Sequence, residues 1–123
     1  MNVNGELRED GSRYWKVDGE FHRIDGPAVI YPDGSEYWIQ HDEYHRIDGP
    51  AQVLADGSKV WFQKGILHHL NGPAVIYADG RETWIINNVI ITTKVNIWIN
   101  ENNIGHWEQW TDADKLMFRM KFE

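Results

Sequence analysis

The run His22-Arg23-Ile24-Asp25-Gly26-Pro27-Ala28-Val29-Ile30-Tyr31-Pro32-Asp33-Gly34-Ser35-Glu36-Tyr37-Trp38-Ile39 decides how the chain is built. Its second half sets two β-favouring stretches either side of Pro-Asp-Gly. Proline presets φ there, and glycine takes the left-handed position of a short bulged hairpin loop. Its first half ends in Gly-Pro, which removes a ladder donor and predicts a loop or sheet edge. The run then repeats: His-Arg-Ile-Asp-Gly-Pro-Ala returns at 45–51, and again as His68-His69-Leu70-Asn71-Gly72-Pro73-Ala74. Asp10-Gly11, Asp33-Gly34, Asp56-Gly57 and Asp79-Gly80 are 23 residues apart, and Trp15, Trp38, Trp61, Trp84 and Trp107 keep the same step.

Working outward, the same hairpin reading fits residues 51–62 and 74–85, and a second turn falls at Asp18-Gly19, His41-Asp42 and Lys64-Gly65. Apolar residues alternate with period two, and Gly or Pro interrupts every window long enough for a helix, so the core is predicted all-β. One hairpin cannot bury both its faces. Stacking successive hairpins into an elongated, twisted antiparallel sheet can, with the recurrent Trp packing between repeats. The expected organisation is one domain, 1–123: three clear repeats over 10–78, degenerate repeats over 79–110 and a C-terminal cap over 111–123. A fifth repeat is read from Asn102-Asn103 through Trp107. Thr111-Asp112-Ala113-Asp114 resembles a helix N-cap or tight turn. Leu116 to Phe122 alternates so that Phe118, Met120 and Phe122 share a face opposite Arg119 and Lys121, which predicts a closing edge strand.

Composition bounds the function. The 123 residues carry a net charge of −7, and residues 1–50 hold 11 carboxylates against five Lys or Arg, which disfavours wrapping a nucleic-acid backbone. Cysteine is absent, which excludes disulfides, thiolate zinc sites and thiol nucleophiles and makes a reducing cytoplasm the default expectation. No stretch approaches the roughly 18–20 apolar residues of a membrane helix, and residues 1–10 lack the pattern of a signal peptide.

Two sets of side chains invite a ligand. His22, His45 and His68 recur with the repeat, spaced by about 10 Å, too far apart to share one metal ion at about 2 Å; no metal or other cofactor is expected. Their scaffold reading is a hydrogen bond to a loop carbonyl or neighbouring Asp. Arg23 with Asp25 and Arg46 with Asp48 read as local ion pairs. The alternative is an anion row, in which His22, Arg23, His45, Arg46, His68 and His69 grip the phosphates of a nucleotide or other phosphorylated small molecule. No phosphate-cradling glycine loop, nucleophile elbow or His-Glu-x-x-His is present, and the carboxylates lie at turns, so catalysis is not expected.

Gly19-Glu20-Phe21-His22, Gly26, Ala28-Val29, Asp33-Gly34 and Tyr37 together resemble the MORN repeat over roughly residues 10–85. Arg23, Arg46 and His69 stand where that repeat has Gly, and Gly-Pro-Ala departs from it, so the chain is MORN-like. The resemblance implies consecutive hairpins serving as a protein-binding, dimerising or occasionally lipid-associated module. The His-Arg-x-Asp-Gly-Pro-Ala signature is also similar to short arrays of bacteriophage and other viral proteins. The function expected from this is stoichiometric binding to another protein, as a phage-encoded inhibitor of a host defence or nucleic-acid-handling factor in the host cytoplasm. Tyr14, Tyr37, Trp98 and Trp110 would be aromatic anchors, and Glu36, Asp42 and Glu43 would face a basic partner surface. A small-molecule sponge on the His/Arg row and a homodimeric scaffold are the other readings.

Overall fold

The computed structural model describes residues 5–123, so the first four residues of the N-terminal segment lie outside it. Its centre is an open antiparallel sheet of eight strands in chain order: Glu6–Leu7, Arg13–Tyr14, Val29–Ile30, Glu36–Tyr37, Gln52–Val53, Lys59–Val60, Val75–Ile76 and Glu82–Thr83. Each strand is two residues long, and the spacing of strands in a sheet makes the stack about 34 Å long. Four small hairpins leave its side: Lys16–Val17 with Glu20–Phe21, Ile39–Gln40 with Glu43–Tyr44, Phe62–Gln63 with Ile66–Leu67, and Ile85–Ile86 with Val89–Ile90.

Both expected turns form, for the backbone reasons read from sequence. In the Pro-Asp-Gly loop, Gly34 sits at φ +95° and its N–H bonds the Tyr31 carbonyl, while Asp33 Oδ1 accepts the Ser35 N–H at 2.8 Å. The side hairpins close on two successive left-handed residues, Asp18-Gly19, His41-Asp42, Lys64-Gly65 and Asn87-Asn88. That is the conformation whose twist matches an antiparallel pair.

The tryptophan is where each strand changes partner. Trp38 N–H bonds Ala51 O in the main sheet, and Trp38 O accepts the His45 N–H from the side hairpin. Trp15 and Trp61 repeat this with Ala28 and His22, and with Ala74 and His68. Each indole is then covered by the residue eight positions on. The Arg23 guanidinium lies 4.0 Å from the Trp15 ring and Arg46 3.8 Å from Trp38, while the His69 ring stacks on Trp61 at 4.6 Å and 8°.

Repeats are also clipped together through side chains. Ser35 Oγ accepts the Ala55 N–H at 3.0 Å, and Ser58 Oγ accepts the Ala78 N–H at 3.1 Å. The equivalent partner of buried Ser12 is Pro32, which has no N–H, and Ser12 Oγ has no partner among the described residues.

The C-terminal third departs from expectation. Where earlier copies have Asp-Gly-Pro-Ala or Asn-Gly-Pro-Ala, the fourth has Lys94-Val95-Asn96-Ile97. Without the Gly-Pro break the chain forms a helix, α1, Thr92–Glu101. Thr92 Oγ1 accepts the Trp84 N–H at 2.9 Å, replacing the alanine carbonyl that meets Trp15, Trp38 and Trp61.

The predicted closing strand is a second helix, α2, Asp112–Phe122, started by a capping box between Thr111 and Asp114. Phe118 and Phe122, four apart, turn inward together, whereas Met120 is 78% exposed. The predicted fifth repeat is a single 3₁₀ turn, Trp107–Gln109. Trp84, Ile86, Ile91, Val95, Trp98, Trp110 and Phe118 form the core beneath these helices, so the cap is helical and closes over the last Trp of the ladder. Trp107 Nε1 and His106 Nε2 bond Glu82 Oε2 on the final strand, at 2.6 and 3.0 Å.

Candidate binding face

Strand register sorts the sheet into two faces. Tyr14, Val29, Tyr37, Gln52, Val60, Val75 and Thr83 are successive partners across it, and so are Leu7, Arg13, Ile30, Glu36, Val53, Lys59, Ile76 and Glu82 on the opposite face. The Trp ladder and the helical cap lie on the second face. The first is aromatic.

Tyr14 meets Phe21 edge-on at 5.4 Å, Tyr31 meets Tyr37 edge-on at 5.5 Å, and Tyr37, Tyr44 and Phe62 follow one another at 5.9 and 5.1 Å. Val29 and Ile39 form the buried floor. Tyr14, Phe21, Tyr37, Tyr44 and Phe62 are half-buried, while Tyr31 is 38% exposed and Tyr77 40%. Burial raises the phenol pKa of Tyr31 and Tyr37, so both keep a hydroxyl proton to donate at any physiological pH. In the first repeat the chain supplies its own cations to these rings, with Arg8 5.2 Å from the Tyr14 centroid and Lys16 Nζ 4.7 Å from that of Phe21.

The face is bordered by acid. Along one margin run the turn residues Asp10, Asp33, Asp56 and Asp79. Backbone N–H donors, foremost those of Ser12, Ser58 and Arg81, hold Asp10, Asp56 and Asp79 below the usual carboxylate range. At the side hairpins Glu20 and Glu43 alternate with Phe21 and Tyr44 along their strands and so point to the opposite side.

The residues singled out in the sequence divide accordingly. Tyr14 and Tyr37 lie on the aromatic face, and Glu36 on the opposite one. Asp42 Oδ1 accepts the Phe21 N–H at 2.7 Å and so joins two repeats, leaving Glu43 exposed. Trp98 and Trp110 are 7% and 8% exposed in the core under the cap and cannot be surface anchors. Sequence reading passed over Phe21, Tyr31, Tyr44, Phe62 and Tyr77. The signal was there, since 14 and 37, 21 and 44, and 31 and 77 are related by whole repeats.

The His/Arg row is occupied by the fold itself. Nδ1 of His22, His45 and His68 accepts the backbone N–H of His41, Lys64 and Asn87 at 3.0–3.1 Å, so the bonded partner is a turn N–H in the next repeat rather than a carbonyl. Arg23 bonds Asp25 and Pro27 O, Arg46 bonds Asp48 and Pro50 O, and His69 Nδ1–H donates to Pro73 O at 2.8 Å. No three metal-ligating side chains converge among the described residues. No helix among them is long and apolar enough to cross a membrane.

The architecture is that of a β-hairpin repeat protein with a helical C-terminal cap. Comparison of the chain with protein-family models, with curated proteins and with solved structures finds no match.

Proposed function

We propose that this chain is a non-catalytic binding module that engages another protein through its aromatic face. The supporting observation is the continuous run of Tyr31, Tyr37, Tyr44 and Phe62 on a rigid sheet, with the cap seated on the other side. Half-buried aromatics on a fixed backbone bind with little loss of side-chain freedom, and tyrosine offers a ring and a hydroxyl together. The MORN-like character of the repeat supports the same reading, and its likeness to viral arrays is the ground for reading the module as an inhibitor of a host protein, acting by occupancy. The acidic margin of Asp turns favours a basic partner surface.

The test is capture of a partner from bacterial lysate by the tagged chain and by the variant Tyr37→Ala/Tyr44→Ala, with circular dichroism to show that the sheet persists. A stoichiometric partner held by the wild type and released by the variant is the expected result. A folded variant that still holds the partner would overturn the assignment of this face.

A further inference from the structure

The repeat is a ruler as well as a scaffold. Equivalent residues of successive repeats, such as Tyr14 and Tyr37, are separated by two strands through Val29, so every position on the aromatic face recurs at about 9.6 Å across the strands. A polyproline II chain advances about 3.1 Å per residue with three residues per turn, and so presents the same side of itself every 9.3 Å or so. A chain of this kind laid across the strands would stay in step with the repeats to within about 1 Å over three of them. A β-strand, recurring at about 6.6 Å, and an α-helix, at about 5.4 Å per turn, would drift out of step at once.

Charge points the same way. The Asp33 and Asp56 margin keeps the period of the repeat, and Asp79 continues it already paired with Arg81 at 2.8 Å. Basic side chains at every third position would therefore meet Asp33 and then Asp56. Arg8 over Tyr14 and Lys16 over Phe21 show the first repeat already satisfied by cations of its own. The following rings, Tyr37, Tyr44 and Phe62, have no Arg or Lys over them among the described residues, and the next cation along the face is Arg81, 5.0 Å from the Tyr77 centroid.

We propose that the aromatic face binds a proline-rich segment with Arg or Lys at every third residue, held in the polyproline II conformation across the strands of the second and third repeats. The proposal rests on the protein-binding reading and narrows it to one class of partner. Prolines would seat between the rings, the preformed conformation would spare the ligand its ordering entropy, and the cations would reach Asp33 and Asp56.

Titration of the intact chain with synthetic peptides, followed by calorimetry and by the NMR signals of the Tyr31, Tyr37 and Tyr44 rings, tests it. The first peptide is a twelve-residue Pro-Pro-Arg repeat; the second has the same composition with the arginines moved off the three-residue period. The third keeps arginine at every third place in a Gly-Ser background. The expected result is saturable binding of the first, at least tenfold weaker binding of the other two, and shifts confined to the aromatic face. Tyr31→Ala, at an exposed ring, and Asp33→Asn should each weaken the first peptide several-fold without altering the fold.

Equal binding of the first two peptides would reduce the effect to net charge and overturn the proposal, as would binding of none of them. If none binds while a lysate partner is still lost from Tyr37→Ala/Tyr44→Ala, the protein-binding reading stands and only the ligand class falls.

Discussion

Replacing Phe118 by alanine tests whether the helical cap closes the array. The ring is fully buried and lies 5.1 Å from Trp84, 5.8 Å from Trp98, 5.5 Å from Trp110 and 4.9 Å from Phe122. Truncating a buried phenylalanine costs about 3–5 kcal/mol, counting lost transfer energy and the cavity left behind. A chain of this size has a total stability of about 5–15 kcal/mol. At about 3–4 °C per kcal/mol, the melting temperature should fall by roughly 10–20 °C.

Urea unfolding followed by tryptophan fluorescence measures the loss, and amide exchange locates it. Because contacts in a hairpin array run mainly between neighbours, protection should disappear first in α1 and at the Trp84 amide, and later in the Val29–Tyr37 hairpin. A loss below about 1 kcal/mol would refute the reasoning, as would equal loss of protection at both ends.

Two further outcomes follow from local geometry. Burial lowers the pKa of His69 as its neutral ring stacks on Trp61, so its contribution to stability is complete above about pH 6.5 and shrinks as pH falls toward the lower folded-state value. His69→Arg, which restores the side chain used over Trp15 and Trp38, should remove that part of the acid slope in urea midpoints between pH 8 and 5; identical slopes would show that His69 does not titrate into the folding equilibrium. Val95→Gly/Asn96→Pro, which returns the Gly-Pro break to the fourth copy, should melt α1 and cost more than about 3 kcal/mol, and undiminished helical dichroism at 222 nm would contradict the account of why that helix forms.

The repeat region was legible because its information is local. Pro-Asp-Gly and Asp-Gly fix turns by backbone preference alone, and a 23-residue period repeats them until tertiary context has little left to decide. The cap was not. Leu116-Met117-Phe118-Arg119-Met120-Lys121-Phe122 satisfies a two-residue alternation at 118, 120 and 122 and a helical spacing at 118 and 122, and the Thr111–Asp114 capping box, half-seen in the sequence, was the stronger signal. Thr92–Glu101 is rich in β-branched and aromatic residues and has weak helix propensity, so it is helical through what Val95 and Trp98 bury.

The aromatic face was only partly legible. Tyr14 and Tyr37 were visible as candidates, but the sheet register that sets them beside Phe21, Tyr44 and Phe62, and on the other side from Glu36, is not written in any single window. The histidines show the reverse failure: a row that looks like a site is consumed by Nδ1 bonds to the next turn.

The tryptophans of the first three repeats are each roofed by a residue eight places further along, Arg23 for Trp15, Arg46 for Trp38 and His69 for Trp61. A gene segment encoding one period is therefore a brick that roofs its own indole and clips to its neighbours through serine and histidine bonds. Duplicating it in frame would lengthen the molecule by two strands without exposing an indole, and only the terminal brick must match the mortar of the helices. Size in such a lineage can change by unequal recombination in whole steps, while the fit to whatever lies along the sheet is preserved at every length.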